Sequence, residues 1–161
     1  MARSASTAQR SRVRTPAAVT VTADKAEFVR ALGADEVVVY GDEHWGDPVD
    51  LVVDGVGGEL LGPAVRALSP GGRLVAFSSG GGTIDAYELL VRGASVIGFP
   101  MAAVARNEPA VYARWLDELW ELHRDDKLRP HISAAIPLAE AAHAHDLIES
   151  RRNLGKVVLV P

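Results

Sequence analysis

The sequence contains no cysteine, which excludes disulfide bonds, thiolate-ligated zinc and a cysteine nucleophile together. The absence is compatible with a reducing compartment, and we expect a cytoplasmic protein. Long apolar runs are also missing, since no segment approaches the roughly 18 residues of a membrane span. Basic residues do not dominate, because 17 Lys and Arg stand against 21 Asp and Glu. The resulting net charge of −4 predicts no general attraction to nucleic acid or to anionic membranes.

What is present indicates one globular domain. The 161 residues are 48% hydrophobic and 24% charged, proportions that allow an apolar core and exclude a disordered chain. Residues 1–16 differ, because they are rich in Arg and Ser and contain no acid. They lack the apolar segment of a secretory signal, although an organellar transit peptide has a similar composition. We favour an irregular N-terminal segment over a transit peptide.

From residue 17 onward, short β-branched runs alternate with helical patterns. The predicted strands are residues 18–22, 36–40, 50–54, 73–77 and 94–99, and the predicted helices are 25–32, 59–68, 87–92 and 109–124. A Pro-Gly-Gly turn at residues 70–72 separates the second helix from the fourth strand. Strands that alternate with helices predict an α/β fold with a parallel sheet. Because the strands are apolar at successive positions, we expect helices on both faces of the sheet.

Two further patterns concern the C-terminal half. The longest predicted helix has an apolar stripe that we expect to be core, formed by Tyr112, Trp115, Leu116, Leu119 and Leu122. Residues 129–161 read as a separate strand–helix–strand tail, with strands at 132–136 and 156–160 and a helix at 138–150.

The most suggestive motif is the glycine-rich turn Asp54-Gly55-Val56-Gly57-Gly58, which follows a strand and precedes a helix. In a dinucleotide fingerprint, glycines let a pyrophosphate approach backbone N–H groups at a helix N-terminus. Here Leu60 stands where the third glycine belongs, and no acid follows a second strand after about 20 residues. We therefore favour a βα turn that borders a ligand crevice over a pyrophosphate cradle.

Three other candidate motifs do not support a metal site, a serine nucleophile or a nucleic-acid patch. His143 and His145 are two residues apart, whereas a helical metal pair is spaced by four, so we predict no metal site. Ser78 and Ser79 lack the Gly-x-Ser-x-Gly context of a hydrolase nucleophile. The pair Arg151-Arg152 is too small and isolated to be a nucleic-acid patch.

Taken together, the segments resemble the second half of the medium-chain dehydrogenases/reductases, which include the alcohol dehydrogenases, in their zinc-free quinone oxidoreductase branch. The resemblance rests on residues 19–23 (VTVTA), 28–38 (FVRALGADEVV), 49–58 (VDLVVDGVGG), 67–75 (ALSPGGRLV), 138–145 (LAEAAHAH) and 155–159 (GKVVL). It implies an oxidoreductase that transfers a hydride from NADPH to a quinone or enone. The cofactor carries most of that chemistry, and the protein positions it.

The resemblance also implies cofactor-binding residues. Thr22 occupies the position where NAD-preferring relatives have an acid, and Lys25 and Tyr40 match residues beside the 2′-phosphate of NADPH. The turn before Lys25 is shorter than in the family. The implied contacts with the ribose, the nicotinamide side and the remaining cofactor are Asp54, Gly55, Val56 and Gly57, then Phe77, Ser78, Gly80 and Phe99, and finally Lys156. No catalytic residue and no metal ligand is implied.

The family's β-rich catalytic domain, and the first strand and glycine-rich loop of its cofactor domain, have no counterpart in this sequence. In the strand order 3-2-1-4-5-6 that first strand is central, so its absence opens two sheet edges. We therefore expect an incomplete Rossmann-like doubly wound parallel sheet at residues 17–128, preceded by the irregular segment 1–16 and followed by the small C-terminal βαβ tail 129–161.

Three functions are consistent with these expectations. The first is the NADPH-dependent quinone reductase, of which this chain is a part. The second is a non-catalytic remnant or dimerisation module, and the third is a methyltransferase-like domain, because residues 68–75 also fit such sheets. The tail favours the first over the third. We also expect a homodimer through residues 94–99, an uncharged β-prone segment that forms the sheet's last strand.

Overall fold

The computed structural model describes residues 18–20, 22–42, 44–77 and 80–161. The described strands are β1 (Ala18–Thr20), β2 (Val37–Val39), β3 (Val49–Asp54), β4 (Leu68–Ala76), β5 (Ser95–Gly98), β6 (Ile132–Pro137) and β7 (Lys156–Val160). The described α-helices are α1 (Ala26–Ala31), α2 (Leu61–Arg66), α3 (Ala86–Arg92), α4 (Met101–Asn107), α5 (Pro109–Arg124) and α6 (Ala141–Glu149). Single 3₁₀ turns at Ala23–Lys25, Gly58–Leu60 and Leu138–Glu140 lead into α1, α2 and α6.

The described strands form three parallel sheets. β1 pairs with β2, β4 lies between β3 and β5, and β6 pairs with β7. This arrangement confirms the predicted α/β class with parallel pairing. It also leaves β1 and β3, each at the border of its own sheet, without a strand partner on one side among the described residues.

The boundary between α2 and β4 differs from the prediction. Leu68 was expected to end a helix, but it is the first residue of β4, and α2 ends at Arg66. Val49 pairs with Leu68 and Leu51 with Arg73, so the residues between them form an irregularity within the strand. The Pro-Gly-Gly turn predicted at residues 70–72 lies inside this irregularity, where Gly71 adopts a φ of 78°.

The core covers one face of the β3–β4–β5 sheet. Val65, Leu68 and Leu74 are almost completely inaccessible to solvent. Around them pack Leu61 and Ala64 of α2 and the partly buried Trp45, Val52, Ala76, Ile84, Leu89, Ala94 and Val96. The helices α2 and α3 therefore seal this face, because their apolar sides meet the inward-facing positions of the central strand.

Among the described residues, several apolar side chains on the opposite face are exposed to solvent. Leu51 is 56% exposed, Val53 63% and Ile97 46%. These three side chains share a face, because their strand positions pair through Arg73 and Val75 of β4. The sequence correctly predicts that these positions are apolar, but apolar character alone does not determine whether another element packs over them.

The predicted core stripe of α5 was also wrong in part. The helix spans the predicted residues, and the Trp115 ring lies 5.9 Å from that of Phe99 at the end of β5. However, Leu116, Leu119 and Leu122 are between 38% and 48% exposed, and no residue of α5 is buried.

Helix α4 had no counterpart in the sequence prediction. Its residues, Met-Ala-Ala-Val-Ala-Arg-Asn, include three alanines and no clear polar face. Alanine has the highest intrinsic helix propensity, so composition rather than periodicity carries the signal here.

The tail sheet contacts the first βαβ unit. The Lys25 Nζ atom donates to the Asn153 carbonyl oxygen at 3.3 Å. The Phe28 and His131 rings meet edge to face with centroids 4.9 Å apart. The predicted tail elements at 132–136, 138–150 and 156–160 correspond to β6, to a 3₁₀ turn followed by α6, and to β7.

Candidate functional site

The carboxyl ends of β3, β4 and β5 form one edge of the central sheet. The Phe77 N–H donates to the Asp54 carbonyl oxygen at 3.0 Å, and the Phe99 N–H donates to the Ala76 carbonyl oxygen at 2.8 Å. These bonds continue the strand ladder past the last paired residues. They place Asp54, Phe77 and Phe99, which come from three different segments of the sequence, side by side. In open α/β sheets, ligands bind outside this edge.

Asp54 shapes the glycine-rich turn that leaves β3. Its side chain is nearly buried, at 9% exposure. One carboxylate oxygen accepts the N–H of Val56 at 2.8 Å and the N–H of Gly57 at 2.9 Å. The next N–H, from Gly58, donates to the Gly81 carbonyl oxygen at 2.9 Å. Three successive N–H groups are thus bonded within the protein, which favours a crevice-bordering turn over a pyrophosphate cradle.

The turn packs directly on the second glycine-rich segment. Gly57 has φ 72° and ψ −149°, a backbone conformation reserved for glycine. A Cβ atom at Gly57 would lie 2.8 Å from the Gly81 carbonyl oxygen, and one at Gly80 would overlap the Val56 carbonyl oxygen. The two segments therefore form a single wall, because neither leaves room for a side chain between them.

An exposed aromatic ring adjoins this wall. Phe77 is 55% exposed, and its ring lies over Gly55, where a Cβ atom would come within 2.7 Å of the ring. The sequence prediction paired Phe77 with Ser78 and Gly80 on the nicotinamide side. Ser78 lies outside the described residues, whereas Gly80 is part of the wall, where it packs against Val56 and Gly57.

A second group of predicted residues lies at the carboxyl ends of β1 and β2. Thr22 is exposed and follows β1, Lys25 lies one turn later, and Tyr40 follows β2 and is half-buried. Burial raises the pKa of Tyr40 above its ordinary value, the Arg151 guanidinium lowers that pKa, and the Asp54 carboxylate raises it. Tyr40 therefore keeps its proton at neutral pH and lies within electrostatic range of both partners.

Arg151 is the residue that the sequence analysis missed. It was weighed only as half of a nucleic-acid patch, and the chain separates it from Tyr40 by more than a hundred residues. Its loop reaches the site because Asn153, two positions further on, accepts the Lys25 ammonium. Arg151 adopts a left-handed φ of 55°, which is uncommon for a residue with a side chain. The structure thus gathers Lys25, Tyr40 and Arg151 into what we call the cationic corner.

Lys156 belongs to the tail sheet and not to the sheets whose carboxyl ends carry the groups described above. It begins β7 in the tail sheet, is exposed, and its backbone N–H donates to the His131 carbonyl oxygen at 2.8 Å. A role for it beside the cofactor stays a prediction.

An open groove of about 460 Å³ runs along the outer side of the glycine-rich turn. Its lining is Gly58, Glu59, Gly62, Pro63, Arg66, Gly82 and Thr83. The Arg66 guanidinium on this lining forms an ion pair with Glu88, with the nearest nitrogen and oxygen 3.6 Å apart.

Parallel strands that are followed by glycine-rich turns at their carboxyl ends are the arrangement of a Rossmann-like α/β domain. Residues 32–159 match the family described as "Zinc-binding dehydrogenase". The chain belongs to this family, which confirms the resemblance to the medium-chain dehydrogenases/reductases and the Rossmann-like fold.

Individual relatives agree with this assignment. The chain is 34% identical over 128 residues to a protein of Schizosaccharomyces pombe named "Probable quinone oxidoreductase", covering 78% of this chain and 39% of the relative. It is 28% identical over 150 residues to a quinone oxidoreductase of Pseudomonas aeruginosa, covering 86% of this chain and 46% of the relative.

A mycobacterial protein solved in complex with NADPH superimposes with a TM-score of 0.78 at 26% identity, covering 91% of this chain and 49% of that one. The chain thus spans less than half the length of each of these three relatives.

No group of three or more His, Asp or Glu side chains among the described residues is arranged to hold a metal ion. None of their helices combines the length and the apolar character needed to cross a bilayer.

Proposed function

We propose that this chain is the cofactor-binding part of an NADPH-dependent oxidoreductase that reduces quinones, enones or related carbonyl compounds. The observation that carries the proposal is the cationic corner beside the sheet's ligand-binding edge. An anion that enters there meets an ammonium and a guanidinium together with a phenol hydroxyl that can donate a hydrogen bond. A phosphomonoester matches this set, because it presents several acceptor oxygens and two negative charges.

The residues present fit NADPH at three of its parts. Lys25, Tyr40 and Arg151 would hold the 2′-phosphate, and Thr22 carries no charge to repel it. The wall formed by residues 55–57 and 80–82 would border the ribose. Phe77 and Phe99 would lie on the nicotinamide side, where their rings exclude water from one flank of the crevice. When bound, the reduced nicotinamide supplies a hydride to an electrophilic carbon of the substrate.

Two substitutions test the cationic corner. Lys25→Ala and Arg151→Ala should each weaken NADPH binding by roughly ten- to a hundredfold and leave NADH binding nearly unchanged, because a charge-assisted hydrogen bond contributes roughly 1.5–3 kcal/mol. Ligand-observed NMR titration measures dissociation constants up to the millimolar range for both cofactors. The control is Arg114→Ala, which removes an exposed arginine on α5 that pairs with Glu118. Equal weakening of NADPH and NADH would contradict the assignment.

We also propose that the chain forms a homodimer through the predicted segment 94–99. β5 has β4 on one side and lies at the border of its sheet in the described chain. Pairing with a symmetric copy would satisfy its outer N–H and C=O groups in a closed, isologous contact. Ile97→Lys should convert the dimer into a monomer, as measured by light scattering. A parent protein that is already monomeric at tens of micromolar, or a variant that stays dimeric, would place the interface elsewhere.

The competing proposal is an interaction module without catalysis. It is supported by the exposed apolar side chains of Leu51, Val53 and Ile97 among the described residues. The two proposals separate on cofactor binding, since a module of that kind would show no preference between NADPH and NADH. In either case we propose a cytoplasmic location, in agreement with the expectation from the sequence.

A further inference from the structure

One peptide group, which joins Asn153 to Leu154, bridges the tail sheet and the first βαβ unit. Its carbonyl oxygen accepts a hydrogen bond from the Lys25 Nζ atom at 3.3 Å. Its N–H donates to the Ser133 hydroxyl oxygen on β6, also at 3.3 Å. Because a trans peptide group is planar and its C=O and N–H point in opposite directions, both contacts belong to one rigid unit. The place of the Lys25 ammonium therefore depends on how this peptide group is oriented.

The Asn153 side chain fixes that orientation from within the turn. Its Nδ2 atom donates to the Gly155 carbonyl oxygen at 2.8 Å, which closes the chain around Leu154. Gly155 adopts a φ of 106°, and a Cβ atom there would lie 2.5 Å from the His131 carbonyl oxygen. The same oxygen accepts the Lys156 N–H at 2.8 Å. The end of the turn thus lies directly against the start of β6, with no room for a side chain.

The beginning of the same turn carries Arg151. The Arg151 N–H donates to the Ile148 carbonyl oxygen at 3.0 Å, so the turn follows α6 directly. Arg151 has a φ of 55°, a left-handed conformation that a residue with a side chain keeps only where its surroundings hold it. Asn153 lies two positions further on in the same turn. It is therefore linked to both cations of the cationic corner, to Lys25 by a hydrogen bond and to Arg151 through the backbone.

We propose that Asn153 is a positioning residue for the cationic corner, and that the turn 150–155 determines the preference for a 2′-phosphate. The inference rests on the proposed NADPH site. Without the Asn153 amide, the peptide group that holds Lys25 is free to reorient, and a phosphate must order it on binding. The cost of that ordering reduces the affinity for the phosphate. A 2′-hydroxyl does not use these cations, so its binding is unaffected.

Two nucleotides isolate this effect, because adenosine 2′,5′-bisphosphate and adenosine 5′-monophosphate differ only in the 2′-phosphate. Asn153→Ala should weaken binding of the bisphosphate by about two- to tenfold, the range expected for one neutral hydrogen bond, and should leave the monophosphate unchanged. Ligand-observed NMR titration of the full chain measures both dissociation constants. Asn107→Ala is the matched control, because Asn107 is exposed at the end of α4, and this variant should bind like the parent.

A second pair of variants acts on the other side of the same peptide group. Ser133→Ala removes the acceptor of the Leu154 N–H and should weaken the bisphosphate selectively, as Asn153→Ala does. Ser133→Thr keeps the hydroxyl and should bind both nucleotides like the parent. Circular dichroism verifies that each variant folds.

A cycle of substitutions distinguishes positioning from a general effect on stability. If Asn153 acts through the two cations, adding Asn153→Ala to the double variant Lys25→Ala/Arg151→Ala should weaken bisphosphate binding no further. The inference is overturned if Asn153→Ala leaves bisphosphate binding unchanged, weakens both nucleotides equally, or retains its effect in the double variant. If the double variant itself binds the bisphosphate like the parent, the proposed NADPH site fails, and this inference fails with it.

Discussion

Replacement of Leu74 by alanine is expected to lower the free energy of unfolding by about 2–5 kcal/mol. Leu74 lies on the central strand β4 and is completely inaccessible to solvent. Its side chain packs among Val65, Leu68 and the residues of α2 and α3 that seal the covered face. The substitution removes apolar contacts and leaves a cavity that the neighbouring backbone cannot fill. Among the described residues, this cluster is the main apolar core of the β3–β4–β5 unit.

Urea denaturation followed by circular dichroism measures the effect. Leu90→Ala is the matched control, because it removes the same atoms from a position that is 76% exposed. We expect the control to change the free energy of unfolding by less than about 0.5 kcal/mol. A similar loss in both variants would show that the cluster around Leu74 does not dominate stability.

The isolated chain is expected to bind NADPH weakly, with a dissociation constant well above the low micromolar range. Pyrophosphate is normally held by backbone N–H groups of a glycine-rich turn. In the described turn after β3, the N–H groups of Val56, Gly57 and Gly58 are already bonded to Asp54 and Gly81. Loss of even two of these three donors, at roughly 1.5–3 kcal/mol each, weakens binding by about two to four orders of magnitude.

Isothermal titration calorimetry of the full chain with NADPH checks this expectation. The comparison is the complete Pseudomonas aeruginosa enzyme under the same conditions. Low-micromolar binding by the isolated chain would mean that another set of donors holds the pyrophosphate.

Local sequence patterns predicted most of the secondary structure, because each element carries its own signal. The boundaries of α5 and β7 agree with the prediction to the residue, and Gly33, Gly57 and Gly93 mark the ends or turns where positive φ is required. The irregularity in β4 was read as a turn, since Pro70 and Gly71 have the same local preferences in a bulge as in a turn.

Local sequence patterns did not predict which strand positions are covered by a packed helix, nor which residues distant in the sequence approach each other. Leu51, Val53 and Leu119 are apolar at the correct positions, yet their burial depends on an element packed against them, not on their own identity. Arg151 illustrates the second limit. Its approach to Tyr40 is set by the docking of the tail through Asn153 and Phe28, and no local periodicity encodes that contact.

The carboxylate of Asp54 has a consequence for any ligand that enters the crevice. Because it fixes two amides of the turn from within, the loop acquires its shape during folding and does not need to be ordered by the guest. The turn therefore acts as a rigid, preorganised surface whose contribution to affinity is not reduced by a loss of loop entropy. Selectivity at this edge then depends on how well a guest's shape matches a fixed contour, while discrimination by charge is left to the more adaptable lysine and arginine side chains.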